Sequence, residues 1–393
     1  MKVIMISTDR KIFEEGSAVR ARMIEYASLF DELDVIVFCR RDLKAKSFQI
    51  AANCRIYPTN SWSRWFYVRD AVRLGKKIAK NSAIKIARAG NNTVVSGQDP
   101  FECGLAAARL ARRLNARLHI QIHTDFLNHY FARLSFLNRL RVHIARQVLP
   151  KADAIRVVSN RIASSLLKAK SYKLKASPVV LPIFTDIEKF SEAVPAVDLK
   201  KKYPHWDFIM LAVGRLAKEK SFDSALDVLR KVRGRYPKVG LVIVGSGPEA
   251  IRLKSKACRL GLAGFVSFEP WQSDLPSYYK TANLLLCTSR YEGFGLVLLE
   301  AAACGLPAVS TDVGIAPDLL VHKGHSFVCP VGDNACLAQK VIGLIEDNQL
   351  RAFFASQITS YAVSPWRMSK EEYLRRYKVM FEAAFAINDN HVQ

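Results

Sequence analysis

The chain of 393 residues has no C-x-x-C pair, no Asp-x-Asp, no internal repeat and no run of eighteen apolar residues. The first absence excludes a zinc ribbon. Disulfide scaffolds belong to small secreted domains, so the eight scattered cysteines read as reduced thiols of a cytosolic protein. Without Asp-x-Asp there is no acidic motif of the kind that holds a metal, and none is expected. Without a long apolar run no transmembrane helix is expected. The start, Met1–Ser7, turns polar too soon for a signal peptide and reads as a first buried strand.

Acidic residues are also scarce. Asp and Glu number 35 against 59 Lys and Arg, giving a formal net charge of +24. The excess is uneven: residues 1–200 hold 35 basic and 17 acidic side chains, and Arg64 to Lys175 alone holds 23 basic and five acidic. Such asymmetry points to a polyanionic partner for the first half. Trp62, Trp65, Phe66 and Tyr67 run into Arg73, Lys76, Lys77 and Lys80. Later Tyr130, Phe131, Phe136 and Leu140 interleave with Arg133, Arg139, Arg141 and Arg146. Basic amphipathic segments with aromatics suit an anionic membrane surface. A solvated helix face is the plainer reading. Nucleic acid is not expected, because no zinc-finger or RNA-recognition signature is present.

Half of the residues are hydrophobic, enough for two packed domains at this length. Short apolar runs, from Val3–Ser7 through Leu118–His123, Ile209–Val213, Leu284–Cys287 and Ala308–Thr311, alternate with helical patterns. That rotation predicts an α/β protein with parallel sheets covered on both faces. A polar, proline-containing stretch at 185–206 marks a boundary. The expectation is two doubly wound, Rossmann-like domains, 1–195 and 196–364, facing a central cleft. A C-terminal helix in 365–393 crosses back to the first domain. Ligands of such sheets bind at the carboxyl ends of strands.

The richest segment follows the strand Leu284–Cys287: Ser289-Arg290-Tyr291-Glu292-Gly293-Phe294-Gly295-Leu296, then a helix carrying Glu300. A strand, a glycine turn and a helix present free backbone N–H groups to an anion. Glu300 stands among Leu298, Leu299, Ala301 and Ala302, a poor place for a surface carboxylate and a fair one for accepting hydrogen bonds from paired hydroxyls. Arg215 and Lys220 follow the strand Ile209–Val213, where two cations can clamp a diphosphate. Gly245-Ser246-Gly247-Pro248-Glu249-Ala250, with Glu269 further on, mimics a dinucleotide fingerprint. It lies on the second strand of its domain and opens with Pro248, so a dehydrogenase is not expected.

The Glu292–Glu300 segment resembles the E-x7-E motif of retaining glycosyltransferases, family 4 in particular, which have the GT-B fold. Val213–Lys220, Val242–Glu249 and Ala303–Gly314 are similar to further stretches of that family, in order and spacing from about 208 to 330. The resemblance implies transfer of a sugar from a nucleotide-diphosphate donor to an acceptor hydroxyl with retained configuration, without a cofactor or metal. It implies that Arg215 and Lys220 neutralise the departing diphosphate and Glu292 holds sugar hydroxyls. Glu300 would hold the ribose, and the backbone of Gly293, Phe294, Gly295 and Leu296 would line the donor. His123, ending a strand, matches the family's active-site histidine. Gly16 stands where paired glycines often approach the diphosphate, here followed by Ser17. Gln98–Phe101 and Asp125 are weaker candidates near the acceptor. Gly314-Ile315-Ala316-Pro317-Asp318 departs from the family's paired glycines and glutamate.

The basic first half makes the expected acceptor a lipid-linked or cell-envelope glycan, reached from the cytosolic face of the plasma membrane. Three alternatives stand beside it: a soluble transferase with a small acceptor, an epimerase of the same architecture, and a non-catalytic basic binder that kept the fold. Intact Arg215, Lys220, Glu292 and Glu300 argue against the last.

Overall fold

The computed structural model describes residues 1–81, 92–321 and 327–386. They form two compact units, one of Met1–Pro182 with the helix Lys370–Ala386, the other of Ile183–Ser369.

Unit 1 is built on eight strands: β1 (Lys2–Ser7), β2 (Glu32–Val37), β3 (Phe48–Ala51), β4 (Cys54–Pro58), β5 (Thr93–Gly97), β6 (Arg117–Ile122), β7 (Ala154–Val157) and β8 (Pro178–Val180). Their order is β3-β4-β2-β1-β5-β6-β7-β8, parallel except for β3 against β4. Inner strands such as Val3–Ile6 are apolar on both faces because helices cover both sides. Helices Tyr67–Asn81, Glu102–Leu114 and Phe136–Val148 pack side by side as one covering layer. Helix Lys370–Ala386 lies across β6 and β7, with Tyr377 stacked on Tyr26 of the helix Ala18–Ala27 at 4.1 Å.

A buried polar knot fixes that last helix. Arg156 on β7 is 2% exposed and donates to Gln121 Oε1 (2.8 Å), Tyr373 Oη (3.1 Å) and the carbonyls of Leu181 (3.2 Å) and Pro182 (3.0 Å). Gln121 Nε2 in turn donates to Tyr377 Oη (2.9 Å). A buried guanidinium needs such saturation, since each unpaired N–H would carry a desolvation cost.

Unit 2 has six parallel strands: β9 (Phe208–Val213), β10 (Val239–Val244), β11 (Val266–Glu269), β12 (Leu284–Cys287), β13 (Ala308–Thr311) and β14 (Phe327–Cys329). The order β11-β10-β9-β12-β13-β14 is that of a doubly wound dinucleotide-type sheet. The strands β3, β4, β8 and β14 were not expected from the sequence. They are short or half-exposed, so their alternation is weak.

The division falls at Pro182–Ile183 rather than at 195–196. The intervening stretch is bound to unit 2: Lys280 Nζ donates to the carbonyls of Ser191 (2.7 Å) and Ala193 (2.6 Å), and Ala196 N donates to Ser277 Oγ (2.8 Å). Residues 365–369 also belong to unit 2, with Trp366 edge-on to Phe294 at 5.4 Å; residues 387–393 of the expected tail lie outside the described residues.

The cysteines need a correction. Cys329, ending β14, is joined by a disulfide to Cys336 in the first turn of helix Asn334–Glu346, their Cα atoms 6.0 Å apart. A tight strand-to-helix turn, with Gly332 at φ 87°, brings the two together, a local closure that spacing rules for small scaffolds do not capture. The other six are free. Among the described residues no helix is long and apolar enough to cross a membrane.

Candidate active site

Strand order in the unit 2 sheet reverses between the parallel neighbours β9 and β12, so the loops that follow these two strands meet at its carboxyl edge. They are stitched together. Arg290 N donates to the Glu219 carbonyl (2.8 Å), and Thr288 Oγ1 to the carbonyls of Lys220 (3.1 Å) and Ser221 (3.0 Å). Ser221 adopts a left-handed φ of 50° while 3% exposed, which turns the chain from this loop into the helix Phe222–Arg233.

The stitching places two expected site residues against each other. Lys220 Nζ lies 2.5 Å from Glu292 Oε1, and Ser289 Oγ donates to the same oxygen at 2.7 Å. Burial works against the Lys220 ammonium, but the adjacent Glu292 carboxylate outweighs it and holds the pKa above the ordinary 10.5. Lys220 is therefore a fixed positive charge. Arg215 sits earlier in the same loop, 70% exposed, and pairs with Glu219 one turn on. It is free to swing onto an incoming anion at little cost, because an exposed pair is weak.

Past Glu292 the turn closes through Gly295, whose φ of 96° no bulky residue adopts comfortably, and the helix Leu296–Ala303 begins. Gly293, Phe294 and Gly295 are buried. The loop after β13 supports this turn: Ile315 N donates to the Phe294 carbonyl (2.8 Å), and a Cβ on Gly314 (φ 52°) would overlap that same oxygen. Glu300 projects from the helix with Oε2 accepting from Tyr279 Oη (2.8 Å). Burial raises the Glu300 pKa above the ordinary 4.5, and the tyrosine bond offsets only part of that. Its Oε1 accepts no hydrogen bond among the described residues.

The dinucleotide-like glycines have another use. Gly214 N donates to the Val244 carbonyl (3.0 Å) and Leu216 N to the Ser246 carbonyl (2.9 Å). A Cβ on Gly245 would overlap the Gly214 carbonyl oxygen, and one on Gly247 would overlap that of Leu216. These glycines let two loops stack, and so they hold the Arg215 loop in place. Glu269, the would-be ribose ligand of that decoy, is occupied by Lys202 (2.7 Å), Tyr203 Oη (2.6 Å) and the Tyr278 hydroxyl.

In unit 1, His123 lies one residue beyond β6, at the carboxyl edge. Burial, reinforced by Arg156, Arg22 and His119, lowers its pKa to about 3, so the ring is neutral. Its Nε2 is buried without a hydrogen-bond partner among the described residues. Gly16, at φ 73°, is exposed at the same edge beyond β1, and a Cβ there would meet nothing within 4 Å. Its neighbour Ser17 caps the helix Ala18–Ala27 by accepting from Arg20 N (3.2 Å). Asp99 has a structural task. Its carboxylate accepts from Phe101 N (2.7 Å) and Cys103 N (3.2 Å) at the start of helix Glu102–Leu114. Asp125 is buried beside Asn128, and burial raises its pKa.

Unit 2 thus brings Arg215, Lys220, Glu292 and the Gly293–Leu296 turn to one edge, with Glu300 farther along the same helix. Sequence reasoning missed Ser289, Tyr279 and Thr288, which hold these groups. Hydroxyls of this kind carry no pattern by themselves. Among the described residues no group of three or more His, Cys, Asp or Glu side chains could hold a metal ion.

Two α/β units, one with paired cation and carboxylate at its strand reversal, define the GT-B class of nucleotide-binding fold. Residues 198–360 match glycosyl transferases group 1, and residues 25–188 match glycosyltransferase family 4. The chain belongs to the family 4 type of group 1 glycosyltransferases. It is 26% identical over 231 residues to N-acetyl-alpha-D-glucosaminyl L-malate synthase of Bacillus anthracis, covering 58% of this chain and 59% of that protein. It is 27% identical over 239 residues to a GDP-mannose-dependent alpha-(1-6)-phosphatidylinositol monomannoside mannosyltransferase of Mycobacterium tuberculosis, covering 57% of this chain and 62% of that one. These matches span about three fifths of the relatives' lengths. The fold is shared with Anabaena HepE, solved with UDP and glucose, at a TM-score of 0.71 and 19% identity over 98% of this chain and 100% of that one.

Proposed function

We propose that the protein transfers a sugar from a nucleoside-diphosphate donor to an acceptor hydroxyl with retained configuration. The observation that carries this reading is the Lys220–Glu292 pair at the strand reversal, with Arg215 in the same loop. One N–H of Lys220 is engaged by Glu292, which leaves two donors for a phosphate. In this reading Arg215 and Lys220 stabilise the charge that develops on the diphosphate as the sugar–oxygen bond breaks. The backbone of Gly293–Leu296 meets the donor, Glu292 holds sugar hydroxyls and Glu300 accepts from the ribose. Gly16 allows the diphosphate to approach. The bonding pair leaves with the diphosphate, whose oxygen takes the proton of the acceptor hydroxyl as the new bond forms on the same face. His123, neutral, accepts from or donates to a sugar hydroxyl. The two cations supply the charge, so the reaction needs no metal ion.

We further propose a lipid-linked or envelope glycan acceptor at the cytosolic membrane face. The charge of the first half supports it, as does likeness to a protein named for a phosphatidylinositol acceptor. A second reading, a small soluble acceptor, draws on the likeness to a malate synthase. The test is transfer of labelled sugar from a donor panel to membrane lipid extract or to small acids, with and without EDTA. Product in the lipid phase, unchanged by EDTA, supports the first reading. Product only in the aqueous phase supports the second, and no product in either contradicts transfer.

A further inference from the structure

The helical layer of unit 1 carries a charge pattern that its packing does not need. Its three helices hold eleven Lys and Arg and two carboxylates. Both carboxylates are already paired, Asp70 with Arg69 (3.0 Å) and Glu102 with Arg141 (3.0 Å). On helix Tyr67–Asn81, Arg69, Arg73, Lys76 and Lys80 recur every three or four residues and are all exposed, a single outward stripe. Helix Glu102–Leu114 adds exposed Arg109, Arg112 and Arg113 beside it. Helix Phe136–Val148 adds exposed Arg139 and Arg146 on the far side. Because the three helices pack side by side, these stripes form one broad basic face.

Apolar anchors rim this face at one edge. Trp62 is 70% exposed and Trp65 is 73% exposed, just before the first helix, and Phe136 at 75% opens the third. Arg41 lies over the Trp62 ring at 4.6 Å and Arg64 over Trp65 at 5.8 Å, so each ring has a cationic cap. The two helices follow β4 and β6, whose carboxyl ends share one edge of the sheet. His123 emerges from that same edge. Large exposed aromatics beside a cationic face are costly in water and fit the headgroup zone of a bilayer.

We propose that this face of unit 1 docks on an anionic lipid surface. The basic stripes lie over the headgroups, Trp62, Trp65 and Phe136 insert at the interface, and the His123 edge faces the membrane. The proposal rests on the lipid-acceptor reading and names the surface that would serve it. Charge complementarity selects a membrane over a neutral protein partner, and large exposed rings at the rim of the basic face fit a bilayer interface, where they are buried below charged headgroups.

The test is sedimentation with phosphatidylcholine vesicles, with and without phosphatidylglycerol as the anionic lipid, at low and high salt. Nucleotide-sugar binding is measured on every variant. The expected results are salt-sensitive binding to anionic vesicles, weakened about tenfold or more in Arg73→Ser/Lys76→Ser. Trp62→Ser/Trp65→Ser should also weaken it. The equal charge change Arg230→Ser/Lys231→Ser, on exposed residues of unit 2, should leave it within about twofold. Equal loss in both charge variants, no vesicle binding at low salt, or vesicle binding indifferent to the Arg73/Lys76 and Trp62/Trp65 substitutions would overturn the docking surface. Retained nucleotide-sugar binding in those cases leaves the transferase reading standing, whereas its loss in the wild type contradicts that reading instead.

Discussion

Lys220 Nζ and Glu292 Oε1 stand 2.5 Å apart, an ion pair that spans 72 positions of chain and joins the loop after β9 to the loop after β12. The pair is mostly out of water, with 21% and 11% of the side chains exposed, so each partner depends on the other. Lys220→Met leaves Glu292 with Ser289 as its hydrogen-bond partner among the described residues. A loss of about 1–3 kcal/mol in unfolding free energy is expected, below the range for a fully buried pair. Turnover should fall at least about a hundredfold. Denaturant unfolding and initial rates check both. Arg215→Ala, at an exposed site, should cost less than about 1 kcal/mol while still lowering donor affinity.

The glycines at 245 and 247 are predicted to matter for the site although they touch no ligand in this account. Gly245→Ala places a methyl group on the Gly214 carbonyl at a φ of 149°, and the loop carrying Arg215 must move. Destabilisation of about 3 kcal/mol and weaker donor binding are expected together. Calorimetric melting and titration with nucleoside diphosphate measure them. An unchanged melting temperature would show that the two loops do not stack.

Much of this was legible in the sequence for an identifiable reason. β9, β10 and β12 are buried on both faces, so their apolar runs are unbroken, and the glycine turn after β12 carries its own signature. The short strands β3, β4, β8 and β14 were not legible. In β4, Arg55 and Tyr57 alternate with three buried positions, Cys54, Ile56 and Pro58, and no residue of β3 is buried. The capping task of Asp99 was not legible either: its carboxylate serves backbone N–H groups two and four residues on. Arg156 carried no signal, because its partners Gln121, Tyr373 and Pro182 are far apart in sequence. The Cys329–Cys336 link depended on a turn that composition does not predict.

Glu300 supplies a pH dependence. Burial raises its pKa above 4.5, so protonation begins at a higher pH than for a free carboxylate. If the ionised group accepts from the ribose, donor affinity falls as pH drops through that raised pKa and is complete above it. Glu300→Gln should bind more weakly and lose this acid limb. Titrations of affinity between pH 4.5 and 7.5 distinguish the limb from a general acid effect by comparison with Arg215→Ala, which should keep it.

Two buried histidines lower the acid stability of unit 1. His119 and His123 are both lowered to about 3, His119 by burial first and then by Arg156. The unfolded chain binds protons at these rings below about 6.5 while the folded chain does not, so stability falls as pH falls through that window. Each ring contributes a slope of about 1.4 kcal/mol per pH unit. His119→Gln should reduce the slope below pH 6 in urea unfolding by up to that one-ring contribution. A slope unchanged by that substitution would contradict the neutral assignment of His119.

The central claim is that the constellation after β9 and β12 binds a nucleoside-diphosphate sugar. Thermal shift with UDP, GDP, ADP and dTDP sugars, on the wild type, Arg215→Ala and Glu300→Ala, tests it most directly. The account predicts saturable stabilisation by one nucleotide class, reduced in both variants although both remain folded. Equal stabilisation in wild type and variants, or none with any nucleotide sugar, would contradict it.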